Sequence, residues 1–383
     1  MTTRTLWAQS AVALLTICLA AATPVHGQSG GCTATDSGSA IGCSPNCASD
    51  CSVGCGSDCS TSCSTGLQLS DCYCDDTCGW GHCTGVYFEF LYLQPTGVDM
   101  VHAQQQDGIG AGPGTVPFGR IGAVDPDYEP GLRGGFSIAL DACSSICGSY
   151  AYFESDSVQQ TFPPAIPGGV GAVGSLVHHP GTLLTASGGP VTGFYNIDFQ
   201  LGDIEYRRLL RACDRYWLNY SVGLRYAHLE QEFLQMGVFG GGLAGAIDTQ
   251  TGIWFDGAGL KLGLDGERLI GCRGLSVYGK TSVAPTVGQF FSRYTMTNTT
   301  TSVLLAEAVW NDDRFVTLLD YEVGVAWTSC NGCLRASLGY MAQFWYNAIT
   351  TPEFVDAVQA DNYVDIGDTI SFDGVTARVE VRF

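Results

Sequence analysis

The closing stretch of the chain constrains the fold most. Val375, Ala377, Val379, Val381 and Phe383 fall on one side of an extended strand. Thr376, Arg378, Glu380 and Arg382 fall on the other, because strand side chains alternate with period two. The apolar side is uninterrupted, and the polar side alternates in sign of charge. A soluble edge strand can carry this pattern. So can a strand with lipid on one face and a wet or salt-bridged lumen on the other.

The same pattern recurs from Val86 onward and predicts about ten strands. Val86 to Leu93 is aromatic-rich. Leu132, Gly134, Phe136, Ile138 and Leu140 line one face of the next segment, and Ser149 to Glu154 follows. In Phe194 to Arg207, Ile197, Phe199 and Leu201 oppose Asn196, Asp198 and Gln200. Tyr216, Leu218, Tyr220, Val222, Leu224 and Tyr226 form the longest clean stripe. Thr251 to Leu264 alternates poorly, with Asp256 and Lys261 on opposite faces, and suggests a bulge near Gly257 or Gly259. Leu275 to Ala284, Phe315 to Trp327, Leu334 to Asn347 and the closing strand complete the set. Asn331-Gly332 marks a tight hairpin between two of them.

Connection lengths sharpen the choice. Long connections near 95–127, 156–192, 231–250, 287–313 and 348–370 alternate with short ones at 141–147, 208–214, 265–274 and 329–333. A sandwich has no reason for strict alternation, whereas an outer-membrane barrel pairs short periplasmic turns with long external loops. The expected fold is therefore all-β: a transmembrane, antiparallel, up-and-down β-barrel over residues 85–383, facing outer-membrane lipid. No apolar run of about 18 residues follows the amino-terminal segment, so no helix is expected to span a membrane.

Only 14% of residues are charged, yet the formal net charge is −20, and Lys261 and Lys280 are the only lysines. Such a surface argues against nucleic acid as a partner. Residues 1–27 read as a signal peptide, with Arg4 ahead of the short apolar run Ala11 to Ala22. Residues 28–84 carry eleven cysteines, of which Cys43 to Cys63 recur every fourth residue. Their Ser, Gly and Asp filler cannot offset its own ordering entropy by burial, so this arm is expected to be disordered or held by disulfides. Intramolecular bridges, bridges to other copies or to other envelope proteins, and thiolate metal binding all remain open there. Cys143, Cys147, Cys213, Cys272, Cys330 and Cys333 fall at the short turns. Cys143 with Cys147, Cys330 with Cys333 and Cys213 with Cys272 are candidate disulfides, and any of them can instead bridge to the arm.

No catalytic motif, resident metal site or cofactor is expected, and the chain does not read as an enzyme. His178-His179 lies in a proline-flanked loop and reads as solvated. Asp125, Asp127 and Glu129 can bind Ca²⁺ weakly, or form an acidic loop. If the apolar stripes face outward, Glu89, Arg133, Glu154, Asp198, Arg225, Lys280, Asp320, Glu322, Arg335, Arg378, Glu380 and Arg382 line the lumen. That set is six acidic against six basic and nearly neutral. It can be structural pairing or an ion-selective lining.

Glu89-Phe90-Leu91-Tyr92-Leu93-Gln94-Pro95, Tyr128 to Gly135, Leu319 to Gly324 and Leu338-Gly339-Tyr340 resemble the pore-forming outer-membrane barrels typified by the Legionella major outer membrane protein. The resemblance runs from Val86 to Phe383, and planctomycete members carry cysteine-rich leaders. The ending in Phe383 is also similar to the assembly signal of bacterial outer-membrane barrels. The resemblance implies an outer-membrane barrel with a porin role, passing small hydrophilic solutes by passive diffusion. It supplies no catalytic residues. The cysteine-rich arm departs from the Legionella-type pattern. It raises a second expectation, a structural envelope protein anchored by the barrel and cross-linked through the arm.

Overall fold

A computed structural model describes residues 82–108, 115–167, 169–182, 184–213, 215–242, 244–270, 274–329, 332–364 and 366–383. The expected signal peptide and nearly all of the cysteine-rich arm lie outside the described residues. Ten strands form one antiparallel ring: β1 (Gly85–Thr96), β2 (Glu129–Asp141), β3 (Ser144–Thr161), β4 (Val191–Cys213), β5 (Tyr216–Gly241), β6 (Gly245–Leu269), β7 (Leu275–Asn298), β8 (Val303–Thr328), β9 (Leu334–Ala348) and β10 (Asp368–Arg382). Each strand pairs with the next, and β10 returns to β1 with Gly85 opposite Arg382 and Thr96 opposite Ser371. Closure removes the sheet edges around the ring, while β8 before Thr317 and β3 beyond Phe153 outrun β9 and β2 and have no ring partner on that side.

The alternation places apolar side chains outward at the end where β1 begins and β10 stops. Val86, Phe88, Phe90 and Tyr92 of β1 are exposed, as are Val375, Val379 and Val381 of β10 and Leu260, Leu262 and Leu264 of β6. On β8 the outward run goes from Phe315 to Trp327. At about 3.4 Å per residue and a tilt near 40°, it covers roughly 30 Å along the axis, the thickness of a bilayer's hydrocarbon core. This end is also the end of short turns. Gly332 adopts a left-handed φ of 72°, as the predicted hairpin requires, and its N–H donates to Ser329 O at 2.9 Å.

Toward the opposite end the strands outrun the apolar band. β4 to β8 are 23–26 residues long, against 12 for β1 and 13 for β2. Long connections were expected near 231–250 and 287–313, so this extension corrects the loop pattern. The segments 231–250 and 287–313 are mostly strand, with β5 reaching Gly241 and β6 starting at Gly245, and β7 reaching Asn298 and β8 starting at Val303. Above the band the chemistry of the two faces exchanges, while the register continues unbroken. Phe153, Ile197, Phe199, Phe233, Phe255 and Phe290 point inward and are fully buried. Glu154 and Asp198, expected in the lumen, instead face out. Their strands stand in water at that height, so polar groups belong outside and apolar groups fill the interior. The expected bulge in β6 is absent too. Gly257 pairs with Ala227 and Gly288, and Gly259 with Arg225 and Thr286, in one continuous register.

The tall wall of β4–β8 stands against a low wall of β1, β2, β9 and β10, and the connections of the low wall fill the gap. A three-stranded sheet of Met100–Gln106, Pro117–Val124 and Ala172–Ser175 lies at the mouth with the helix α1 (Thr351–Ala360). Pro352 sits in the first turn of α1, and Phe354, Val355, Ala357 and Val358 are buried beneath it. Glutamines of β5 pin the cap. Gln231 Nε2 donates to Ile349 O at 2.8 Å, and its Oε1 accepts from Tyr195 and from the Thr351 N–H. Gln235 Nε2 donates to His102 O at 2.6 Å.

Below the cap, rings from opposite walls meet. Phe199 of β4 lies 4.7 Å from Phe372 of β10 and 6.4 Å from Trp345 of β9. Phe255 of β6 lies 6.3 Å from Trp345 and 4.6 Å from Phe290. Replacing Phe199 by alanine is expected to lower the unfolding free energy by about 3–5 kcal/mol, measured by urea unfolding from lipid vesicles. The outward Phe90→Ala variant removes no contact from this core and should leave the core's near-ultraviolet circular dichroism unchanged.

Candidate functional site

Beneath the aromatic layer the lumen turns charged. On β4 the inward face passes from Phe199 and Leu201 to Asp203, Glu205 and Arg207 without a register change, while the outward face passes from Asp198 and Gln200 to Ile204 and Tyr206. Glu89, Asp203, Glu205, Asp265, Glu267, Asp320, Glu322 and Glu380 meet an equal number of cations: Arg133, Arg207, Arg225, Lys261, Lys280, Arg335, Arg378 and Arg382.

Many partners face each other directly across neighbouring strands. Glu89 is opposite Arg133 and Arg378, Asp203 opposite Arg225, Lys280 opposite Glu322, and Arg335 opposite Glu380. Opposite charges in such positions stabilise a sheet. Other pairs cross the lumen. Arg133 of β2 grips Glu89 through both nitrogens, at 2.8 and 2.7 Å, and reaches Glu322 of β8 at 2.7 Å. Arg225 of β5 forks onto Asp203 at 2.7 and 2.8 Å and extends to Asp320 of β8 at 2.6 Å. Lys261 joins Asp203 at 2.8 Å and Glu205 at 3.2 Å, and Arg207 forks onto Asp265. Bidentate guanidinium–carboxylate geometry fixes orientation as well as distance.

Tyrosines complete the lining. The Arg378 guanidinium stacks on Tyr87 at 3.5 Å from the ring centroid. Tyr278 lies between Lys280 and Arg335, at 5.0 and 5.5 Å. Its hydroxyl fits because Gly324 and Gly339 face it; a Cβ at either would come within 2.8 and 2.5 Å of that oxygen. The cavity left among these groups is about 190 Å³, room for on the order of ten waters.

The structure therefore brings together ten of the twelve residues expected in the lumen and moves Glu154 and Asp198 to the outer wall. Asp203, Glu205, Arg207, Lys261, Asp265 and Glu267 join the lining without having been expected there. Their signal was present, because Asp203, Glu205 and Arg207 alternate with Ile204 and Tyr206 as Arg378 and Glu380 alternate with Val379 and Val381.

Around the turn end stand Cys83, Cys143, Cys147 and Cys333, with Cys147 Sγ 3.6 Å from Ser145 Oγ. Cys272, Cys330 and the side chain of Cys213 lie outside the described residues. At the mouth His178 Nδ1 contacts Ser175 O at 3.0 Å, and His179 Nδ1 accepts from the Gly181 N–H. Asp125 lies beside Asp99, whose carboxyl is held above its usual range by burial and by that neighbour. Among the described residues, the one group of three metal-ligating side chains that converges is Asp198, His228 and Glu230, on the outer wall.

The ion pairs predict a sharp contrast. Glu322→Gln leaves Arg133 and Lys280 short of a buried counter-charge and should cost about 3–5 kcal/mol in urea unfolding from vesicles. Glu307→Gln, which breaks an exposed pair with Arg293, should cost about 0–1 kcal/mol.

The profile described as Legionella pneumophila major outer membrane protein precursor matches residues 83–382. The crystal structure of the outer membrane protease OmpT from Escherichia coli is similar over 78% of this chain and 97% of its own, at 10% identity and a TM-score of 0.42. A Pseudomonas aeruginosa FadL homologue is similar over 79% of this chain and 90% of its own, at 8% identity and a TM-score of 0.23. No curated protein matches the chain. The protein is an outer-membrane β-barrel, and its chain belongs to the family of the Legionella pneumophila major outer membrane protein.

Proposed function

We propose that this barrel is a non-catalytic envelope anchor, closed to bulk diffusion, that ties a cysteine-rich segment to the periplasmic side of the outer membrane. The layer of Phe153, Phe199, Phe255, Trp345 and Phe372 carries this reading, because rings from facing walls meet across the lumen at centroid distances of 4.7 to 6.4 Å. The ion pairs below reinforce it. A lining that binds passing ions holds charges ready for solute, whereas here each carboxylate is already engaged by a guanidinium or ammonium group. Short turns lie on the periplasmic side in such barrels. The chain enters β1 at that end, beside Cys83, Cys143, Cys147 and Cys333, so cysteines of the arm and of the rim share an oxidising compartment.

Passive diffusion of small hydrophilic solutes is the second reading. The cavity among the charged side chains favours it, since a filled interior would leave none. It requires α1 and the aromatic layer to move aside together. Planar-bilayer recording decides between the two. Folded protein at physiological salt is expected to give no stepwise current, and regular steps at low voltage would sink the closed reading. For the anchoring role, nonreducing gels of native envelopes should show high-mass species that collapse on reduction. Monomer in both gels would exclude cross-linking.

A further inference from the structure

The inversion that carries Phe153 and Phe199 inward gathers carboxylates on the outer wall of β3 to β6. Register sets Asp198 directly between Glu154 and Glu230, so acid faces acid twice across three adjacent strands. Like charges in such positions are destabilising. No Lys or Arg stands in that row to offset them. Two of the three carboxylates are partly satisfied. Glu154 accepts from Tyr152 and Asn196, and Glu230 Oε1 accepts from Trp254 Nε1. Asp198, half-buried, accepts no hydrogen bond among the described residues.

An imidazole makes this group more than an acidic face. His228 shares the outward face of β5 with Glu230, two residues along. Its Nδ1 lies 2.9 Å from Asp256 Oδ1, and Asp256 is held in turn by Tyr226 at 2.6 Å. That leaves Nε2 facing Glu230 Oε2 at 3.9 Å. A histidine that donates one ring N–H to a carboxylate and offers the other nitrogen to a metal is the usual orientation of a ligating imidazole. One ligand atom from each of Asp198, His228 and Glu230 lies within 4.8 Å of the others. Two ligands at about 2.1 Å from one ion lie at most about 4.2 Å apart, so small side-chain rotations close the site. One nitrogen and two carboxylate oxygens suit a borderline divalent cation such as Zn²⁺ better than Ca²⁺, which prefers oxygen alone.

We propose that Asp198, His228 and Glu230 bind one divalent transition-metal ion on the outer wall of the barrel, with Asp256 orienting the imidazole. The ion removes the repulsion among three facing carboxylates and couples β4 to β5 outside the membrane. This site is independent of whether the lumen is open.

Titration calorimetry with Zn²⁺ on the folded, chelator-stripped full chain tests it. One equivalent should bind, and His228→Gln and Asp198→Asn should each weaken binding at least tenfold while keeping the folded gel mobility. Asp256→Asn should weaken it by about 10–100-fold, as loss of an orienting partner does. Cobalt substitution should give visible absorption that His228→Gln abolishes. Zn²⁺ binding unchanged in the folded His228→Gln protein, equal affinity for Ca²⁺, or no binding below millimolar Zn²⁺ would each overturn the proposal.

Discussion

The lattice of ion pairs inside the lumen is what the rest of the structure depends on. A ten-stranded ring encloses more space than its own side chains fill by apolar packing alone, and lipid outside already claims the apolar residues of the membrane zone. The inward positions there are charged, and buried charge is tolerated only when paired and hydrogen-bonded. Arg133 and Arg225 meet that demand by bridging walls rather than neighbours. Each pair that crosses the lumen also fixes the distance between non-adjacent strands, so the electrostatics sets the cross-section of the barrel.

Much of this was legible in the order of residues. β10 was readable from Val375 onward, with Val375, Val379 and Val381 outward and Arg378, Glu380 and Arg382 inward, because that part lies in the membrane zone. β9 and the Phe315 to Trp327 part of β8 were legible for the same reason. β4 was not. Its apolar residues Ile197 and Phe199 were assigned to lipid on the premise that apolar means outward. That premise holds only at the height of the bilayer. Past it, water stands outside and the cap closes the inside, so the same alternation carries the opposite meaning.

The two connections read as loops failed for a related reason. Residues 231–250 and 287–313 are rich in Gly, Thr and Asn, which mark turns in a short window. The period-two placement of Phe233, Phe290, Tyr294 and Met296 still runs through them, and all four are buried. Turn chemistry is local, whereas burial depends on which walls stand opposite, and no single segment reports that. The luminal pairs between Arg225 and Asp320, or Arg133 and Glu322, were likewise hidden, since they join strands far apart in order.

The unequal height of the walls has a mechanical consequence. The backbone ladder between β5 and β6 runs from Tyr216 to Phe239, while that between β1 and β2 spans only Gly85 to Leu93. A sheet under lateral tension parts where fewest hydrogen bonds act in parallel. The seam between the first two strands is therefore the weakest hinge of the ring. Glu89 and Arg133 face each other across it, so part of its hold comes from charge rather than from ladder length.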